Sequence, residues 1–161
     1  MIRSKSVLSS EIQAYIKHFQ SLHEQLGDII RDMPDDEVNW IPIEGETNSA
    51  AVLVTHMLGA ESFRIREMAG GVDIGRDREA EFDVNLSSVT EMEQSLEQVG
   101  KSTSDVLSRL PSEELDQTRP SVRSYEGAET VRWHILHTIE HFAMHLGHLS
   151  LTRQLYTRRN Q

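Results

Sequence analysis

Apolar residues recur at steps of three and four along most of this chain, and that helical period constrains its fold more than any other feature. The first such segment covers about residues 10–33, with Ile12, Tyr15, Ile16, Phe19, Leu22, Leu26, Ile29, Ile30 and Met33 on its stripe. Ser10 with Gln13 reads as a capping box, and Pro34 ends the segment. A second covers about residues 49–69, aligns Val52, Leu53, Ala60 and Phe63, and stops at Gly70-Gly71. The third opens at Ser88, whose partner Glu91 lies three residues on, and runs through Met92, Leu96, Val99, Val106 and Leu107 to Pro111. The fourth covers about residues 128–156. No run of alternating apolar residues suggests a strand. Four amphipathic segments of this length predict an all-α fold, a four-helix bundle filling residues 1–161 as a single domain. The connections, about residues 34–48, 71–87 and 111–127, exceed the usual ~4–6 residues, so they are expected to shape a site or allow a crossover.

Charge and composition narrow the function classes. With 16 Lys and Arg against 26 Asp and Glu, the formal charge is -10, which repels a phosphate backbone. Neither nucleic acid nor an anionic membrane surface is an expected partner. Residues 127–161 hold four arginines against Glu129 and Glu140, a balance of +2, so the excess acidity lies entirely in the first 126 residues. The chain has no cysteine, which excludes disulfides, thiolate metal sites and a cysteine nucleophile. No apolar run approaches the ~18–20 residues of a bilayer span, and a cytoplasmic location is the expectation.

Five of the eight histidines, His134, His137, His141, His145 and His148, fall in the fourth segment. At ~100° per residue they share an arc of about 80°. Ile135, Ile139, Phe142, Leu146 and Leu149 form an apolar stripe beside that arc, so the ladder borders the buried face. His137/His141 and His141/His145 each have the four-residue spacing by which one helix gives two imidazoles to one metal. On the second segment His56 sits in the middle of the apolar stripe, where an unpaired imidazole would cost a few kcal/mol. A lone histidine there is ordinarily a hydrogen-bonded core residue. Together with two overlapping pairs on the fourth segment, it points to a shared divalent metal, with Gly59 and Ala60 leaving space beside it for water or a ligand.

Two familiar motifs do not fit. His137-Thr138-Ile139-Glu140-His141 matches the inverted zinc-peptidase string, but no acidic residue follows Glu140 to complete that site. A ferritin-like di-iron centre needs Glu three residues before His, and none of the eight histidines has one.

The stretch from Asn48 through His56 to Glu61, followed by Glu140-His141-Phe142-Ala143-Met144-His145-Leu146-Gly147-His148, resembles the DinB-like superfamily of small metal-binding helical bundles. The Gly147-His148 ending resembles the branch related to mycothiol- and bacillithiol-dependent enzymes. That resemblance implies a ligand set of His56, His141 and His145 for one divalent ion, zinc first, with nickel, iron or manganese as alternatives. It further implies a thiol-dependent transferase or isomerase acting on a small-molecule electrophile, with a low-molecular-weight thiol as cosubstrate. A chain without cysteine must take its sulfur nucleophile from outside. The competing expectation is a non-catalytic bundle in which the metal staples two helices and the loops present a partner surface.

Around that centre His148, Glu140 and His137 are candidates for orienting a ligand or touching the cosubstrate. His134 is expected to be solvated, and Trp40 and Trp133 to be anchors. Arg64, Arg66, Arg76 and Arg78 cluster where one could meet a carboxylate-bearing cosubstrate. His18 and His23 lack paired spacing and receive no role. An exposed helix face makes a homodimer an expected assembly.

Overall fold

The computed structural model describes residues 8–120 and 127–160, and it is a helical bundle throughout. Helix α1 (Ser10–Ile30) begins one residue earlier than the expected cap: the Ser9 hydroxyl accepts from the Ile12 amide at 3.2 Å. Gln13 turns back instead to donate to the Leu8 carbonyl. A one-turn helix α2 (Asp35–Val38) follows Pro34. Helix α3 (Ala50–Ser62) is capped by Ser49, whose hydroxyl accepts from the Val52 amide, an arrangement worth ~1 kcal/mol. It continues as a π-helical segment (Phe63–Ala69), closed by the Gly70 amide on the Ile65 carbonyl. Widened turns of this kind re-aim side chains and concentrate at functional sites.

Helix α4 (Val89–Arg109) starts where the sequence indicates, but Ser88 caps nothing. The Glu91 carboxylate accepts from the Ser87 amide, and Asp35 of α2 accepts from the Val89 amide. The following connection is more ordered than a loop. A 3-10 turn (Ser112–Asp116) leads to strand β1 (Thr118–Pro120), which pairs antiparallel with β2 (Ala128–Thr130). Three-residue strands are too short to show an alternating pattern, which is why the sequence hides them. Helix α5 (Val131–Arg158) starts after β2, with the Thr130 hydroxyl accepting from the Trp133 amide.

Helix α1 lies against α4 and α5, and α3 lies against the same two, so α1 and α3 face each other diagonally across the core. The order is therefore a crossover, not sequential up-and-down neighbours, as the long connections allow. Leu22, Leu26, Ile30, Met57, Phe142 and Leu149 build one end of the core, and Ile12, Phe19, Ile65, Leu107 and Ile135 build the other. Each fully buried side chain of this size contributes roughly 1.5–3 kcal/mol. Between the two clusters lies a polar layer absent from the sequence reading. Glu61 is wholly buried, its oxygens 2.9 and 3.0 Å from His23 Nε2, and it accepts from the Thr103 hydroxyl at 2.5 Å. His23, given no role from spacing, is thus the polar tie between the two diagonal helices. No helix among the described residues is long and apolar enough to cross a membrane.

Candidate metal centre

Helices α3 and α5 pack side by side, and their contact line carries the histidines. His56, in the second turn of α3, is buried, while His141 and His145 on successive turns of α5 are partly buried. One nitrogen from each ring lies within 4.8 Å of the others, the spacing of a group able to hold a metal ion. The Nε2 atoms of His56 and His141 are 3.2 Å apart, and the rings of His141 and His145 are 4.5 Å apart at their centroids.

The tautomer of His56 follows from its far side. Its Nδ1 lies 2.9 Å from Glu81 Oε2, so Nδ1 carries the proton and donates, leaving the Nε2 lone pair turned toward His141. Glu81 comes from a 3-10 turn (Ala80–Phe82) in the connection before α4 and is itself buried. Arg76 holds it from the other side, donating from Nε at 2.6 Å and Nη2 at 2.7 Å. Burial pushes the Glu81 carboxyl up, but the hydrogen bonds from His56 and Arg76 and the Arg76 charge outweigh it. The net effect holds the carboxyl below the usual range, so it is ionised at neutral pH. Glycine at position 59 makes the approach possible, since a Cβ there would stand 2.2 Å from Glu81 Oε1. That carboxylate takes the place a side chain at 59 would need, and a cavity of about 370 Å³ opens beside Gly59 and Glu81 on the side of α4. Phe82 covers the exposed side of His56, with ring centroids 4.8 Å apart.

Protonation is disfavoured at the other two rings. Burial, then the neighbouring His145 and His56, pushes His141 down to about 3. Burial with His56 and His148 pushes His145 down to about 4. Neutral imidazoles with free lone pairs are the form a metal requires.

The remaining candidates separate clearly. His148 Nδ1 lies 3.3 Å from His145 Nδ1, so it contacts the trio directly. His137 is not one of the three converging rings; it stacks on Trp133 at 4.7 Å and 9° and stands 6.1 Å from His141. Glu140 is exposed, and no hydrogen bond or ion pair among the described residues joins it to the histidines. His134 corrects the expectation of a solvated residue. It is wholly buried, with Nδ1 3.0 Å from Arg64 Nη1, because its turn of α5 faces the π-helical segment. Three of the four clustered arginines are likewise committed, Arg76 to Glu81, Arg64 to His134, and Arg78 to Glu79 and the face of Phe82, while Arg66 lines a separate cavity beside Gly59. Spacing could not reveal Glu81, which reaches His56 from a loop 25 residues away.

Similarities to known proteins agree with this geometry. No curated protein matches the chain. Among solved structures, a conserved protein from Enterococcus faecalis aligns with a TM-score of 0.72 and 16% identity, over 93% of this chain and 98% of its own. A DinB-like protein from Bacillus subtilis aligns at 0.67 and 20%, over 88% and 91%. YfiT from Bacillus subtilis, described as a probable metal-dependent hydrolase with an unusual four-helix bundle topology, aligns at 0.65 and 14%, over 95% and 94%. Those likenesses establish the four-helix-bundle fold. The family model for mycothiol-S-transferase matches residues 15–158, nearly the whole bundle. The chain belongs to the mycothiol-S-transferase family of DinB-like proteins.

Proposed function

We propose that His56, His141 and His145 bind one divalent metal and that the protein transfers a low-molecular-weight thiol, mycothiol or a close analogue, onto a small electrophile. The observation that carries this reading is the convergence of three imidazoles, one of them oriented by a buried carboxylate, in a chain without cysteine. The donor set suits zinc, nickel or iron. A divalent ion held by His56, His141 and His145 would supply Lewis acidity that lowers the pKa of a bound thiol.

The chain's own groups supply the rest. Glu81, braced by Arg76, keeps the proton on Nδ1 of His56 and off Nε2. His148 contacts the Nδ1 side of His145, leaving the His145 Nε2 side to face the other two rings. Phe82 shields His56 from water. In the overall reaction the thiol sulfur bonds to the electrophilic carbon, the leaving group departs with the bonding electrons, and the thiol proton passes to solvent. A purely structural metal is the weaker reading, because Leu53, Met57, Phe142 and Leu149 already join α3 to α5 without it.

The test is conjugation of mycothiol or bacillithiol to 1-chloro-2,4-dinitrobenzene by metal-loaded protein. Conjugation should require the thiol, disappear with chelation and return when metal is restored. Thiol-independent hydrolysis of an ester or amide panel, with no conjugation, would favour the hydrolase chemistry named for YfiT.

A further inference from the structure

We infer that the cleft beside His145 is the electrophile subsite of this enzyme and that it selects an uncharged, apolar molecule over an anionic one. The inference rests on the thiol-transfer reading above. The cleft encloses about 340 Å³, room for a substituted aromatic ring. Its position ties it to the metal centre, since His145 lines it and so does Leu53, one turn before His56 on α3. Pro42, Leu151 and Leu155 continue the apolar wall.

The two leucines on α5 are the telling residues. Leu151 is 55% exposed and Leu155 45%, on a helix that buries Leu146, Leu149 and Tyr156 on its other face. Leucines left open beside a cleft indicate a surface meant to be covered. They stand six and ten residues beyond His145, or about 9 and 15 Å along the helix axis. A bound molecule can therefore set its reactive carbon near His145 and lay its tail on the leucines.

The charge around the cleft decides the substrate class. Glu46 stands at its rim, and neither Lys nor Arg lines it. Arg76 and Arg64, beside the metal centre, are engaged with Glu81 and His134.

Two aryl chlorides with the same reactive carbon test this: 4-chloro-3-nitrophenyl methyl sulfone, which is neutral, and 4-chloro-3-nitrobenzenesulfonate. Neither substituent is a strong metal ligand. Ligand-observed NMR on the metal-loaded protein should give a Kd for the sulfone at least about tenfold below that for the sulfonate. Glu46→Lys should narrow that ratio severalfold with metal content unchanged, and Leu151→Lys, at the nearer of the two leucines, should weaken sulfone binding about tenfold. Equal or tighter binding of the sulfonate overturns the inference, as do variants that leave both Kd values unchanged. Loss of a dimer in Leu151→Lys with unaltered Kd values also overturns it, by assigning the leucines to self-association. Conjugation that prefers the sulfonate rejects the subsite and leaves thiol transfer standing. Tight sulfone binding without conjugation to any thiol rejects thiol transfer and leaves the subsite standing.

Discussion

Glu81→Gln is expected to weaken metal binding by about 10- to 100-fold, or roughly 1.4–2.7 kcal/mol, with no change at any ligand. The Glu81 carboxylate accepts from His56 Nδ1 and twice from Arg76. A glutamine amide has one oxygen and one NH2 for those donors. With its oxygen toward Arg76, its NH2 faces His56 Nδ1, and the imidazole must move its proton to Nε2, where it blocks the lone pair the metal needs. With its oxygen toward His56, the NH2 opposes the Arg76 guanidinium, whose side chain is only 8% exposed. That cation then loses its buried counter-charge, a change that destabilises by ~3–5 kcal/mol when the pair is fully buried. The first orientation predicts weaker metal binding, and because a neutral glutamine removes the counter-charge of Arg76 in either, both predict a lower melting temperature. Competition with a chromophoric chelator measures the affinity, and calorimetry measures the stability. Metal affinity within twofold of the parent protein would show that Glu81 does not set the His56 tautomer.

Three further outcomes follow from the same geometry. His56→Ala and His141→Ala should each reduce bound metal from about one per chain to background by elemental analysis; retention in both variants would remove the assignment. Gly59→Ala places a Cβ 2.2 Å from Glu81 Oε1, so it should displace the carboxylate and lower metal affinity while circular dichroism stays helical; unchanged affinity would mean the loop yields at no cost. In chelated protein, unfolded imidazoles near pH 6.5 take up protons that folded His141 and His145, at about 3 and about 4, refuse. Stability should therefore be complete above pH ~6.5 and fall as the pH drops toward ~4. A melting temperature equal at pH 7 and pH 5 would contradict those shifts.

Periodicity was enough to place the four long helices, because each one buries a stripe with the spacing the chain displays. The pair on α5 and the lone histidine in the α3 stripe were legible for the same reason: helical spacing fixes which side chains share a face. What spacing does not encode is contact made through loops and across diagonals. Glu81 reaches His56 from an irregular connection, and its signature is only that residue 59 is glycine. The Glu61–His23–Thr103 layer joins three helices at single positions, so neither His23 nor Thr103 stands out from its own segment. His134 was misread because the wheel shows its angle but not the neighbour it meets. The π-helical segment carries Arg64 to that neighbour, and a bulge of this kind has no period of its own. The antiparallel pair before α5 is built from three residues a side and fixes where that helix starts.

The account stands on a single ion held among His56, His141 and His145. Crystals of protein purified without added chelator, measured on both sides of the absorption edge of the metal found by elemental analysis, test that directly. The account predicts one anomalous peak at full height, about 2.0–2.1 Å from one nitrogen of each of the three rings if the metal is zinc. A metal-replete crystal with its peak elsewhere, or with His56 outside the coordination sphere, would contradict it.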